Sequence, residues 1–221
     1  MTPVRGLIFD MDGTLVDNMA VHDDAWEAWH AEVGLAFDRP SFFRRTAGRT
    51  NPEIISELFP DRPAAEIAAM GAAKEAIYRR LYAPRLAAHA GFAALMAEAD
   101  RRGVKAAVAT AAPPENVDFT LDGLGLRDRF VAVVQPSMGY RGKPHPDMFL
   151  AAAEKLGVSP AECLVFEDAP LGVEAARRGG MPAVAITTTL PAEAFAEFRN
   201  VRATAPDFVG LDLDALFAGS A

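Results

Sequence analysis

Cysteine is almost missing from this chain. Cys163 is the only one in 221 residues, so no internal disulfide can staple the fold. Its neighbours Leu164, Val165 and Phe166 place it on a buried strand, where a thiol is inert. Long hydrophobic runs are missing too: nothing approaches the roughly 20 apolar residues of a membrane span, and no charged segment leads into a long apolar one at the amino terminus. Basic clusters are the third absence. Lys and Arg gather only in short pairs such as Arg79-Arg80, and the formal charge is -8. Nucleic acid, whose backbone demands massed positive charge, is thereby excluded as the main partner. No internal repeat or low-complexity tract is found. The expectation is a soluble, cytoplasmic protein, on neither membrane nor nucleic acid, and a monomer or weak homodimer. With 51% hydrophobic residues it can bury one sizeable core, or a core and a small accessory domain.

What is present begins at the amino terminus. The apolar run from Val4 to Phe9 leads straight into Asp10-Met11-Asp12-Gly13-Thr14-Leu15-Val16-Asp17, which reads as a buried strand opening into a loop. Asp10 and Asp12 alternate, so they would share one side if the strand ran that far. Two carboxylates about 4 Å apart repel by roughly 4 kcal/mol at an effective dielectric of 20, and such a pair calls for a cation or a shared proton.

The chain then turns helical. Met19 to Val33 carries Val21, Trp26, Trp29 and Val33 at helical spacing. A second helix begins near Asn51-Pro52-Glu53, with Asn51 as candidate cap and Pro52 in the first turn, and a third covers about Ala64 to Tyr82. No strand pattern falls between Asn18 and Arg85, so residues 18–85 read as a helical domain inserted into a core made of 1–17 and 86–221. From Gly91 helices and strands alternate. Helices are expected at Phe92–Arg102, Glu115–Leu124, Asp147–Leu156 and Pro170–Arg178; strands are expected at Val104–Thr110, Phe130–Val134, Cys163–Phe166 and Ala183–Thr187. Phe208–Leu211 reads as a last short strand and Leu213–Phe217 as a terminal helix. Unbroken apolar strands between helices predict an α/β fold, a Rossmann-like parallel sheet covered on both faces.

In such a sheet the loops after the strands meet at one edge. That edge would collect Asp10, Asp12, Thr110, Lys143, Glu167 and Asp168, a hard-oxygen set with one ammonium that suits Mg²⁺ and a phosphoryl group. Asp10, first out of the strand, is the natural nucleophile. Asp12 is the natural general acid and base, Thr110 a donor to an equatorial oxygen, and Lys143 a neutralising charge.

Taken together, Asp10-Met11-Asp12-Gly13-Thr14-Leu15-Val16-Asp17, Thr110, Gly142-Lys143-Pro144-His145-Pro146-Asp147 and Phe166-Glu167-Asp168-Ala169 resemble the four motifs of the haloacid dehalogenase superfamily, in order and along the whole chain. Within it the chain is similar to the β-phosphoglucomutase-like phosphatases. The resemblance implies Asp10 as nucleophile, Asp12 as general acid/base, and Thr110 and Lys143 as phosphate ligands. It implies Mg²⁺ held by Asp10, the Asp12 backbone carbonyl and Asp168, with Glu167 acting from behind or through water. The helical insert would be a C1-type, four-helix cap. Dehalogenating members lack the second aspartate and phosphonate-cleaving members replace it with a small residue, so Asp12 argues against both. The expected activity is Mg²⁺-dependent hydrolysis of a small phosphorylated metabolite, a sugar phosphate, through an aspartyl-phosphate. A sugar phosphomutase and a receiver-like phosphoacceptor module are the alternatives.

Single residues also carry plainer readings. Asp147 is assigned to helix capping, Asp17 is open between hinge and support, and the Gly123/Gly125 pair ends a helix and binds no nucleotide. His22 reads equally as a histidine packed on tryptophan or a substrate contact. Gly48-Arg49-Thr50-Asn51 resembles the subfamily's specificity loop and Lys74 its phosphate-gripping cap lysine. His22, Arg49, Asn51, Lys74 and Ala111 are therefore candidate substrate-binding positions. Asn51 stands where the mutase pattern has arginine, which weakens the mutase reading.

Overall fold

A computed structural model describes residues 3–46 and 49–218. The chain divides into two compact units, Met1–Asp17 with Ala87–Ala221, and Asn18–Leu86.

The first unit is built on a six-stranded sheet, ordered β3-β2-β1-β4-β5-β6, with every pairing parallel. The strands are β1 Gly6–Phe9, β2 Lys105–Ala109, β3 Val133–Val134, β4 Cys163–Glu167, β5 Ala183–Ile186 and β6 Val201–Ala205. β1 lies between β2 and β4, where the winding reverses, and ligand crevices in open α/β sheets form at that reversal. Alternation along β1 sends neighbours to opposite faces. Ile8 packs with Met148, Phe149 and Ala152 of the helix Asp147–Leu156. Phe9 stacks on Phe166 at 4.7 Å and meets the edges of Phe92, Phe208 and Phe130 at 5.5, 5.9 and 6.1 Å. Edge and offset ring pairs add about 0.5–1.5 kcal/mol each beyond the area they bury. Phe92 comes from the helix Phe92–Arg101, so both faces of the sheet are covered. Cys163 is fully buried and its thiol is pushed up to about 12, first by burial, so it stays protonated and inert.

The last strand departs from the expectation. Phe208–Leu211 is loop, and β6 is Val201–Ala205 instead. β6 is an edge strand, and its mixed sequence Val-Arg-Ala-Thr-Ala lacks the apolar run that marks a strand buried on both faces. Phe208 is buried all the same, because its ring fills the aromatic cluster and its N–H donates to the Ala90 carbonyl at 3.0 Å.

The second unit holds α1 Met19–Glu32, α2 Arg39–Thr46, α3 Asn51–Leu58 and α4 Ala64–Tyr82. Helical periodicity pointed to three of these; α2, Arg-Pro-Ser-Phe-Phe-Arg-Arg-Thr, is short, polar and opened by proline, so its pattern is weak. Thr50, not Asn51, caps α3, its N–H and hydroxyl both donating to Glu53 at 2.7 and 2.8 Å. Asn51 is thereby released, and its side-chain amide donates to Glu75 at 2.6 Å. No helix among the described residues is long and apolar enough to cross a membrane.

Candidate active site

The strand ends assemble the site within the first unit. Phe9 of β1 stands level with Val108 of β2 and with Phe166 of β4. Asp10, Thr110, Glu167 and Asp168 therefore leave the sheet at the same edge, and all four are buried. Lys143 reaches that edge from the loop ahead of the helix Asp147–Leu156. Its ammonium donates to Asp10, 133 residues away in sequence, and to Glu167 Oε1 at 2.5 Å. The other Glu167 oxygen accepts the Ala169 N–H at 2.7 Å. Asp168 accepts from the Thr189 hydroxyl at 2.6 Å and from the Thr14 hydroxyl at 3.4 Å. The Thr110 hydroxyl accepts the Ala112 N–H at 3.0 Å, which leaves its own proton for an incoming oxygen. Ala111 is exposed one residue further on, with only its backbone to offer a ligand.

β1 stops at Phe9, so Asp12 is placed by a tight loop, not by strand alternation. The N–H groups of Thr14, Leu15 and Val16 all point at the Met11 carbonyl, and Asp12 bridges to Val16. Asp12 is half-buried there, more open than Asp10. Asp147 does not cap its helix; it is the first helical residue, and Arg141 grips both its oxygens at 2.8 Å and lowers its pKa.

Charge in this site is unbalanced. Three buried carboxylates face one ammonium. Burial raises the Asp10 pKa well above the usual carboxylate range; Lys143 pulls it back, and Glu167 and Asp168 push it up again. Asp168 is pushed up to about 7 by burial and by the Glu167 charge, against the Thr189 hydrogen bond and Lys143. For Lys143, burial favours the neutral amine, but Asp10 and Glu167 outweigh it and raise its pKa.

Hard oxygen donors in excess of positive charge are the set that Mg²⁺ accepts, so these residues fit such an ion. Among the described residues no three His, Cys, Asp or Glu side chains form a ready chelate. Their oxygens are engaged instead, those of Asp10 and Glu167 by Lys143 and those of Asp168 by Thr14 and Thr189.

A pH dependence follows, with a definite sign. Between the ordinary 3.8 and about 7 the folded chain holds the Asp168 proton more tightly than the unfolded chain, so this group's contribution to stability falls as pH rises through that window. In EDTA, thermal unfolding of wild type minus that of Asp168→Asn is expected to decline steadily from pH 4 to 7. A difference that stays flat or rises would show Asp168 ionised at no cost.

Two glycines leave room for these acids. A Cβ at Gly172 would lie 1.8 Å from Glu167 Oε1, and one at Gly13, at φ 76, would lie 2.2 Å from Asp168 Oδ2. These glycines, with Thr14 and Thr189, are site residues the sequence did not single out. The run Thr187-Thr188-Thr189 looks like ordinary β-forming residues, and only the fold carries it to Asp168.

The candidate residues of the helical unit form their own cluster. The Lys74 side chain is only 2% exposed, with Nζ 2.8 Å from His22 Nδ1, 3.0 Å from Glu75 Oε1 and 5.1 Å from the Trp26 ring centre. His22 stacks on Tyr78 at 3.9 Å, so its ring is packed against an aromatic face of the same unit. Asn51 joins through Glu75. Arg49 does not join: it pairs with Glu57 at 2.7 Å and bonds the Glu53 carbonyl at 3.1 Å. Gly48, next to it, lies outside the described residues.

Known proteins resemble both the sequence and the fold. Protein CbbY (plasmid) of Cupriavidus necator is 35% identical over 205 residues, covering 86% of this chain and 81% of that protein. Fructose-1-phosphate phosphatase YqaB of Escherichia coli is 34% identical, covering 81% and 94%. The crystal structure of CbbY from Rhodobacter sphaeroides in complex with phosphate superposes with a TM-score of 0.80 at 26% identity, over 95% of this chain and 96% of that one. The family model for haloacid dehalogenase-like hydrolases matches residues 4–180, which span β1, the helical unit and the acidic loop after β4. Strand order, the acids at the point of reversal and these similarities agree: the chain belongs to the haloacid dehalogenase-like hydrolases.

Proposed function

We propose that the chain is a Mg²⁺-dependent phosphatase that hydrolyses a small phosphorylated metabolite, a sugar phosphate, through an aspartyl-phosphate. The observation that carries this reading is Lys143 joined to Asp10 and Glu167 beside Asp168, at the sheet edge where the winding reverses. Sugar-phosphate chemistry in the name of the Escherichia coli relative supports the substrate class.

An Asp10 oxygen attacks phosphorus in line, the P–O bond to the sugar breaks, and Asp12 gives its proton to the departing oxygen. Water then attacks the phosphorus of the acyl phosphate, Asp12 takes a proton from it, and Asp10 is regenerated. Lys143 pulls the raised Asp10 pKa back toward the ionised form and balances phosphate charge, while the Thr110 hydroxyl donates to a phosphoryl oxygen. Asp10, the Asp12 carbonyl and Asp168 would hold the ion, with Glu167 acting through water. When bound, Mg²⁺ supplies positive charge to the phosphoryl oxygens and offsets the crowding that raises the Asp10 and Asp168 pKa values. The helical unit would act as the cap, with His22 and Asn51 as substrate contacts, Lys74 as its phosphate-gripping lysine and Arg49 available only if it leaves Glu57.

A panel of phosphorylated metabolites, assayed for released phosphate with Mg²⁺ and with EDTA, tests this directly. Many phosphates per protein, only with Mg²⁺, are expected. Isomer formation without net release would move the assignment to a phosphomutase, and release that stops at one phosphate per chain would make the protein a phosphoacceptor.

A further inference from the structure

We propose that His89, acting through Thr188, is a positioning residue that holds the acidic loop after β1 in its working shape; the catalytic part of this inference rests on the phosphatase reading above. The direction of the relay follows from the single proton of the hydroxyl. Thr188 Oγ1 lies 2.7 Å from the Gly13 carbonyl, an acceptor, so that proton is donated there. The contact of Thr188 Oγ1 with His89 Nε2 at 3.3 Å then has the imidazole as donor, which puts a proton on Nε2.

His89 also grips the loop through its backbone, its N–H donating to the Leu15 carbonyl at 2.8 Å. Two carbonyls of the loop, Gly13 and Leu15, thus depend on one residue. Packing fixes the ring from the other side, where it meets Phe208 edge-on at 6.0 Å. What the relay holds bears on the chemistry. Gly13 follows Asp12 directly and lies so close to Asp168 that no Cβ fits between them. Thr189, next to Thr188, donates to Asp168. The segment after β5 therefore sets the Gly13 peptide with one hydroxyl and the Asp168 carboxylate with the next. His89 touches no reacting atom in this scheme.

Loss of a group that orients a ligand or catalytic residue typically lowers activity by about 10- to 100-fold, and a misplacement of about 1 Å can cost about 100-fold. The test compares His89→Phe, His89→Gln, Thr188→Val, Thr188→Ser and the double variant His89→Phe/Thr188→Val in the full chain. Steady-state kcat and KM on an aryl phosphate are measured, together with amide hydrogen exchange over residues 10–17 without substrate.

His89→Phe keeps the ring against Phe208 but removes the donor; it is expected to lower kcat about tenfold with KM unchanged, and to speed exchange in 10–17. Thr188→Val should match it. The double variant should be no worse than either single change, because both break one relay. Gln, which can present a donor near the Nε2 position, and Ser, which keeps the hydroxyl, should restore most of the rate. Additive losses, failure of both Gln and Ser to restore, or unchanged exchange in 10–17 would overturn the proposal and leave His89 a packing residue. If the wild type released no phosphate, the phosphatase reading would fall, while the exchange comparison would still decide whether His89 braces the loop.

Discussion

Replacing Asp10 with asparagine is expected to cut turnover of a phosphate monoester at least about 10³-fold, the scale on which removal of a covalent nucleophile is felt, while leaving the fold as stable or more so. The two halves of this expectation have different causes. Asparagine keeps the shape of the side chain but has no anionic oxygen to attack phosphorus. For stability, the raised Asp10 pKa means that burial and the neighbouring Glu167 and Asp168 charges outweigh the attraction of Lys143. A neutral isostere removes that repulsion, and Lys143 retains Glu167 as partner. Steady-state rates and thermal unfolding of the two proteins check both halves. Activity within tenfold of wild type would remove Asp10 from the nucleophile's role, and a large drop in melting temperature would show that the attraction between Lys143 and Asp10 exceeds the cost of burying the carboxylate among other acids.

Lys143→Met is expected to act in the opposite sense on stability. It leaves Asp10, Glu167 and Asp168 buried with no ammonium among them, and deleting one partner of a buried ion pair commonly costs about 3–5 kcal/mol. The sign against pH follows from the same groups. Lys143 has its pKa raised, so its stabilising contribution is complete below the ordinary 10.5 and is constant across neutral pH. The pH dependence of the variant therefore comes from the acids. Burial already raises the Asp10 and Asp168 pKa values, and without Lys143 both would rise further. The loss should be largest near pH 8 and shrink toward pH 5, where protons replace the missing cation. Denaturant unfolding in EDTA at both pH values measures it. An equal loss at the two pH values would mean that the side chain's packing against Phe149, whose ring centre is 5.2 Å from Nζ, matters more than its charge. Activity should fall with the charge, since in the proposed mechanism Lys143 lowers the Asp10 pKa and balances phosphate charge.

Both expectations draw on residues whose chemical type was legible in the chain, and the contrast lies in how they were brought together. Asp10, Thr110 and Glu167-Asp168 follow apolar runs, and a run that ends in a polar residue marks its own exit from a parallel sheet. Lys143 has no such marker, since it lies in a proline-rich loop and would pass alone for a surface lysine. Thr188 and His89 are harder still, because a threonine after a strand and a histidine before a helix are ordinary until the loop after β1 is seen between them. Thr50 took the capping role from Asn51 because its hydroxyl and N–H both reach Glu53, a choice between neighbours that local sequence leaves open. Edge strand β6 escaped notice for want of hydrophobicity.

By itself, then, the order of residues determined the alternation of strands and helices, the helical insertion and the kinds of groups that leave the sheet edge. These are local properties, carried by hydrophobic period and by glycine and proline punctuation within a few residues. Only the tertiary structure decided that β4 lies beside β1, that Lys143 spans Asp10 and Glu167, and that His89 and Thr188 hold Gly13. Such contacts join residues up to 175 positions apart, and their geometry depends on how whole layers pack, which no local pattern encodes.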